Sequence, residues 1–348
     1  MCFIKQIINP AHGLSFNFFT FRKDLSIMKE IKNGVWPVMI TPFTADNKID
    51  YPAVKAIIDY YKASGCAGVF AVCQSSEMFF LTKEERLELA KTCIDYCHEI
   101  GLGVVVSGHV ASDVEDQIIE AQAMIDMGAD SYVFISNQFA SPEESEEVVK
   151  ERITYLLERI NGDSFGIYEC PYPYKRVISP ELLKWIASTG KFAFLKDTCC
   201  SLDMIEAKCE AVAGTGLKIF NANGATMLES MRMGCSGYSG VMANFHADLY
   251  AWLCDHFADE DKQELVENLM AYLGAASTIE CQVYPINAKY YMNLNGVPMT
   301  LVSRTKDPDL LTFGLPTTIE GNAHPSSKIR EMDQFFATEK LMRKALFN

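Results

Sequence analysis

From Gly34 onward, short apolar and β-branched runs alternate with longer stretches whose apolar positions recur every three to four residues. The runs predict strands at Val35–Thr41, Gly68–Cys73, Leu102–Ser107, Ser131–Ser136, Phe165–Cys170, Phe192–Lys196, Leu217–Asn221 and Gly237–Ala243. The periodic stretches predict helices between them. The first covers Tyr51–Ser64, with Val54, Ile57, Ile58 and Tyr61 on one face, and the second covers Thr82–Ile100. In the second, Thr82 can cap while Glu84 and Glu85 favour the positive end of the helix. Eight successive strand–helix units, each a right-handed crossover, close naturally into an α/β (β/α)8 TIM barrel. A doubly wound open sheet is the rival. It predicts a glycine-rich turn after the first strand, where Pro42-Phe43-Thr44 stands instead, so the pattern favours the barrel.

Beyond Phe257 the periodicity is helical without intervening strands, over Asp261–Ala276, Pro285–Leu294 and Lys328–Leu346, with a loop-rich segment from Val297 to Ser327. The expected organisation is therefore a leader over residues 1–27, a barrel over 28–258, and a C-terminal helical extension over 259–348 packed on the barrel's side. The leader lacks a continuous apolar core with a cleavage site and carries one arginine, so it reads as neither a secretory signal nor a transit peptide. It is expected to be disordered, or to come from an upstream start codon, and to carry no chemistry.

Composition narrows the partners. With 31 basic against 45 acidic residues the formal net charge is −14, which disfavours nucleic acid and anionic membrane surfaces. No apolar run approaches the roughly 20 residues needed to span a bilayer. The 12 cysteines are scattered through apolar segments. Cys93, Cys97 and His98 have no second pair at zinc-site spacing, so the thiols read as reduced core residues and point to a cytoplasmic protein.

In such a barrel the carboxyl ends of the strands surround the site. Strand six ends Phe192-Ala193-Phe194-Leu195-Lys196-Asp197, and alternation places Lys196 in line with Phe192 and Phe194. Poor solvation disfavours the ammonium form, and the neutral amine is what attacks a ketone. On the strand alone, a lysine that snorkels from the mouth is the stronger reading. Tyr168 ends strand five, one strand away, where its phenol can donate or accept a proton; an ordinary strand tyrosine fits equally well. After strand two, Gln74-Ser75-Ser76 can offer hydroxyls and backbone N–H groups to a carboxylate, although a plain serine-rich turn explains the loop too. The glycines of Gly237-Tyr238-Ser239-Gly240 permit close approach of main-chain groups to substrate hydroxyls, or simply tight packing. His109, Glu77, Glu169 and Asp197 form a thin metal-ligand set, and no metal is expected.

Taken together, these sites resemble the dihydrodipicolinate synthase and N-acetylneuraminate lyase family of class I aldolases, from about Gly34 to about Pro298. Gly34-Val35-Trp36-Pro37-Val38-Met39-Ile40-Thr41-Pro42-Phe43 is similar to that family's opening strand and Thr-Pro-Phe. The resemblance implies that Lys196, in Leu-Lys-Asp-Thr, forms the Schiff base and that Tyr168, in Tyr-Glu-Cys-Pro, shuttles protons. It implies that Ser75 binds the carboxylate of a 2-oxo acid, with Gln74 and Ser76 beside it. Ser239, Gly240 and Asn244 fall in the segment similar to the family's Gly-x-Ile-Ser and the asparagine after it.

There are departures. Gln74 stands where the family has a hydroxyl residue and Ser76 where it has glycine. Pro173 stands where the synthases carry an arginine for a second carboxylate, with Lys175 and Arg176 the nearest bases. Asn137-Gln138-Phe139 lacks the tyrosine that in the synthases reaches a neighbouring subunit. These departures count against lysine biosynthesis. The implied function is a lyase or aldolase acting on pyruvate or a related 2-oxo acid with an aldehyde, for example on a 2-keto-3-deoxy sugar acid, as a homotetramer or dimer with no added cofactor. A dehydratase using the same imine and a silent metabolite-binding barrel are the alternatives.

Overall fold

The computed structural model describes residues 30–307 and 327–347; the expected leader and much of the loop before the last helix lie outside them. Eight parallel strands appear in the predicted order: β1 (Gly34–Val35), β2 (Gly68–Ala71), β3 (Gly103–Val106), β4 (Ser131–Ile135), β5 (Phe165–Tyr168), β6 (Phe192–Asp197), β7 (Lys218–Asn221) and β8 (Gly237–Tyr238). The sheet runs from β1 through β8 back to β2. Its two ends meet where Val38 bridges Phe70 and the Ala67 N–H donates to the Val35 carbonyl. That closure makes a (β/α)8 barrel.

Helices α1 (Tyr51–Ala63), α2 (Lys83–Glu99), α3 (Val114–Asp126), α4 (Glu146–Arg159), α5 (Pro180–Ser188), α6 (Leu202–Val212), α7 (Met227–Arg232) and α8 (Ala247–His256) clothe it. Their starts follow the local chemistry. Thr82 accepts from the Glu85 N–H while the Glu85 carboxylate accepts from the Thr82 N–H, closing a reciprocal cap on α2. Asp50, Asp113, Ser179 and Ser201 cap α1, α3, α5 and α6 in the same sense. The face of α1 that is buried is the predicted one, Val54, Ile57, Ile58 and Tyr61, joined by Ala53.

The interior is filled by aromatic rings. Trp36 meets Phe194 and Phe220 edge-on at 5.9 and 6.0 Å, and Phe194 stacks on Phe220 at 4.7 Å. The indole lies so close to β2 and β3 that a Cβ on Gly68 would fall 2.1 Å from it, and one on Gly103 2.6 Å. The predicted β6 alternation holds only in part. The β5–β6 register slips between Phe165 and Gly166, leaving Ala193 extra on β6. Phe192 therefore sits with Phe165, whereas Phe194 and Lys196 continue the interior line. Strands one and eight are shorter than predicted. At Gly237 (φ 154°) an added Cβ would fall 1.9 Å from the Gly34 carbonyl oxygen, so packing of β8 against β1 explains this glycine.

Past the barrel come α9 (Gln263–Ala276), α10 (Ile286–Leu294) and α11 (Ser327–Phe347). The expectation of a bundle on the barrel's side covers only part of their placement, because the chain on either side of α10 reaches the barrel mouth. Glu280, Tyr284 and Pro285 before it, and Thr305 and Lys306 after it, line the central cavity. No helix among the described residues is long and apolar enough to cross a membrane.

Gly68→Ala should lower stability by about 1–3 kcal/mol, the usual cost of overpacking, read as a fall in thermal midpoint. Gly274→Ala, on α9 with only the Met270 methyl near, should leave the midpoint unchanged or slightly raised.

Candidate active site

Lys196 and Tyr168 are register partners on β6 and β5. The lysine is 4% exposed, and its Nζ lies 4.0 Å from the centroid of the Tyr168 ring and 5.9 Å from that of Phe70. It makes no ion pair within 4.0 Å among the described residues. Burial pulls its pKa down to about 8, with Cys73, Cys170 and Glu280 pulling weakly the other way. About a tenth of the amine is then neutral at pH 7, against roughly one in a few thousand for a free lysine. The snorkelling alternative is excluded by this burial.

The nearby carboxylates are occupied elsewhere. Asp197 and Glu169 both hold Lys208 of α6, at 2.5 and 2.6 Å, and all three side chains are fully buried. Glu169 also accepts from the N–H groups of Ile178 (2.9 Å) and Thr198 (2.8 Å). This cluster ties the ends of β5 and β6 together immediately after the tyrosine and the lysine. Burial and the neighbouring Asp197 push the Glu169 carboxyl up, while Lys208 pulls it down.

On the opposite wall, Gln74-Ser75-Ser76 forms a 3₁₀ turn. The Gln74 Oε1 accepts from the Tyr168 hydroxyl at 3.1 Å and from the Cys170 thiol at 3.4 Å. Burial raises the Tyr168 phenol well above its ordinary pKa, so it stays protonated. Ser75 and Tyr284 both line the cavity, and the Tyr284 hydroxyl receives the Asn244 amide at 3.0 Å.

Two expected ligands point elsewhere. The Ser76 hydroxyl donates to the Met39 carbonyl at 2.6 Å and accepts from the Cys73 N–H, while Thr41 holds the Ser76 carbonyl at 2.7 Å. The Ser239 hydroxyl donates to the Trp36 carbonyl at 2.9 Å. Neither lines the cavity; both bind the backbone that follows β1, because nearby backbone acceptors satisfy them first. Gly240 does line it.

The strand-end rule misses the tail. Glu77 is buried with φ 60°, and its carboxylate collects Lys289 Nζ (3.0 Å), the Ser303 hydroxyl (2.9 Å) and the N–H groups of Arg304 (2.6 Å) and Thr305 (3.1 Å). Arg304 makes a bidentate pair with Glu85, and both Lys289 and Arg304 lie over the Phe43 ring. The segment that covers the mouth is thus pinned to the loop after β2. Val72 and Val283, both β-branched and both at positive φ, flank the site, and conformations of this kind cost about 1–3 kcal/mol each.

The cavity measures about 570 Å³. Of the bases near the Tyr-x-x-Pro segment, Lys175 lines it, with Nζ on the Thr198 carbonyl at 2.7 Å. Arg176 turns away to the carbonyls of Ser141 and Glu144. Pro173 and Gln138 lie on a separate surface hollow, and Asn137 donates to the carbonyls of Cys170, Tyr172 and Tyr174. His109 is buried and accepts from the Ile135 N–H, and burial lowers its pKa to about 4, so it is neutral. Among the described residues no cluster of His, Cys, Asp and Glu has the makings of a metal site.

The family model of the Dihydrodipicolinate synthetase family matches residues 32–306. The chain belongs to this family. Its enzymes are carbon–carbon lyases and synthases of the class I aldolase type, which join pyruvate to a lysine as a Schiff base and need no added cofactor. Among curated relatives, the 4-hydroxy-tetrahydrodipicolinate synthase of Methanococcus maripaludis (strain C6) is 24% identical over 267 residues, covering 76% of this chain and 89% of the relative. That of Cellvibrio japonicus is 22% identical over 266 residues, covering 76% and 86%. Among solved structures, YagE, a prophage protein of the dihydrodipicolinic acid synthase family from E. coli K12 in complex with pyruvate, superposes with a TM-score of 0.72 at 20% identity, covering 89% of this chain and 98% of that one. A monomeric dihydrodipicolinate synthase variant gives a TM-score of 0.75 at 16% identity, covering 90% and 98%.

Glu77→Gln leaves the buried Lys289 without its carboxylate. A loss of about 3–5 kcal/mol is expected, together with faster proteolytic cleavage within residues 297–306; denaturant melts and timed digestion check both.

Proposed function

We propose that this protein is a Schiff-base lyase or aldolase that acts on pyruvate or a related 2-oxo acid, cleaving or forming a 2-keto-3-deoxy sugar acid or a compound of that type. The observation that carries the reading is the Lys196 amine: buried, unpaired, partly neutral, and stacked against the Tyr168 phenol. The carboxylate of the 2-oxo acid would sit at the hydroxyl and backbone N–H of Ser75, with Gln74 and Gly240 alongside.

The neutral amine adds to the C2 carbonyl, and the carbinolamine loses water to give an iminium. In the cleavage direction the C3–C4 bond breaks, its electron pair moves into the iminium as an enamine, and the C4 hydroxyl gives up its proton to leave an aldehyde. Protonation at C3 and addition of water then release pyruvate and the amine. Tyr168 would hand a proton to, or take one from, the oxygen on C2, a role its place beside Lys196 supports. Only Lys196 and Tyr168 are assigned catalytic roles, and the arrangement asks for no metal.

The proposed compartment is the cytoplasm, supported by ten free cysteines among the described residues. The proposed assembly is a tetramer or dimer of this chain, supported by Phe80 and Tyr172, about half exposed at the cavity mouth. Sedimentation velocity checks the assembly; a lone monomer at micromolar concentration rejects it.

Borohydride added with pyruvate should fix one reduced pyruvate on the Lys196 peptide, and Lys196→Ala should abolish it. The trapping rate should rise roughly tenfold per pH unit below about pH 8 and level off above, as the amine loses its proton. A silent barrel traps nothing. A dehydratase traps pyruvate but releases none from a deoxy sugar acid, which separates it from an aldolase.

A further inference from the structure

The family reaction needs a second reactant, and the cavity offers far more space than pyruvate fills. One wall of that space is acidic. Glu280, in the 3₁₀ turn Ser277–Cys281, lines the same cavity as Lys196. It differs from the other carboxylates near the strand ends. Glu77, Glu169 and Asp197 are each consumed by a buried lysine and by backbone N–H groups. Glu280 makes no hydrogen bond or ion pair with a described residue, and it stands more than 4.0 Å from the Lys196 amine while still acting on it through its charge. Its side chain is half-buried and lines the cavity that Lys196 also lines, with its carboxylate left as an acceptor there.

We propose that Glu280 selects the second half of the substrate: its carboxylate accepts hydrogen bonds from hydroxyl groups on the carbons beyond C3 and repels a second carboxylate at that place. Partial burial strengthens both effects, since acceptors left open in a low-dielectric wall favour donors and disfavour like charge. Among the described residues, the other lysines on the cavity, Lys175 and Lys306, are exposed, and Lys175 is already held by the Thr198 carbonyl. Their exposure lets solvent screen them. Glu280 is a specificity-determining residue in this reading, which rests on the Lys196 imine proposed above.

The test uses the full-length protein, pyruvate, and two aldehydes: glyceraldehyde, which carries hydroxyls, and glyoxylate, which carries a carboxylate. Wild type must first trap pyruvate on Lys196; failure there removes the imine reading itself. Given trapping, kcat/KM in wild type should favour glyceraldehyde by roughly tenfold or more. Glu280→Gln, which keeps the shape and removes the charge, should shrink that ratio by a similar factor. It should also move the pH midpoint of pyruvate trapping downward, because the ammonium form of Lys196 loses a nearby negative charge. A wild-type preference for glyoxylate overturns the proposal whether or not the variant folds. An unchanged ratio in a folded Glu280→Gln protein overturns it as well.

Discussion

An amine deprived of both water and a counter-ion sets the terms for the rest of this molecule. Lys196 and Asp197 are adjacent, and a flexible chain would pair them. The pleat of β6 prevents this by sending the two side chains to opposite faces. Lys196 enters the aromatic interior, and Asp197 meets Lys208 of α6 outside it. Glu169, next to Tyr168 on β5, is drawn outward in the same way. The sheet thus sorts the charges: the two buried carboxylates are held by Lys208 and by backbone N–H groups rather than by Lys196.

The same separation recurs at the mouth. Glu77 would be a second counter-ion within the cavity, but Lys289, Ser303 and the backbone at Arg304 and Thr305 occupy it. Bringing the tail across the barrel has two effects: Glu280, Tyr284 and Pro285 join the wall around the amine, and Lys289 and backbone N–H groups occupy the Glu77 carboxylate. Removing the tail would therefore alter the chemistry as well as the shape of the site.

How much of this was legible in the sequence follows from the range of the interactions. The strands and helices were, because each apolar run or stripe, and caps such as Thr82 with Glu85, are local signals. That Lys196, Tyr168, Gln74, Ser75 and Gly240 line one cavity was legible too, because in this fold strand ends converge. Ser76 and Ser239 were misplaced, because a small hydroxyl can face either way and the carbonyls of Met39 and Trp36, distant in sequence, decide which. The extra Ala193 left no mark in the alternation. Glu280 and Tyr284 belong to no strand, and the pair that fixes their surroundings, Glu77 with Lys289, spans 212 positions. No periodicity reports a contact of that separation.

Gln74 shows what such a departure does to chemistry. A hydroxyl accepts one proton and donates another, so it can pass protons along a chain. The Gln74 Oε1 accepts from the Tyr168 hydroxyl and from the Cys170 thiol, and an amide carbonyl has nothing to pass onward at neutral pH. Tyr168 is oriented as firmly as a relay would orient it, yet the relay ends there. Under the imine mechanism the proton balance must then close within the site: the proton released as one bond breaks has the enamine carbon, the phenol or enclosed water as its destinations. A wall pinned by Glu77 borders that space, which ties the loop substitution and the tail to the same site.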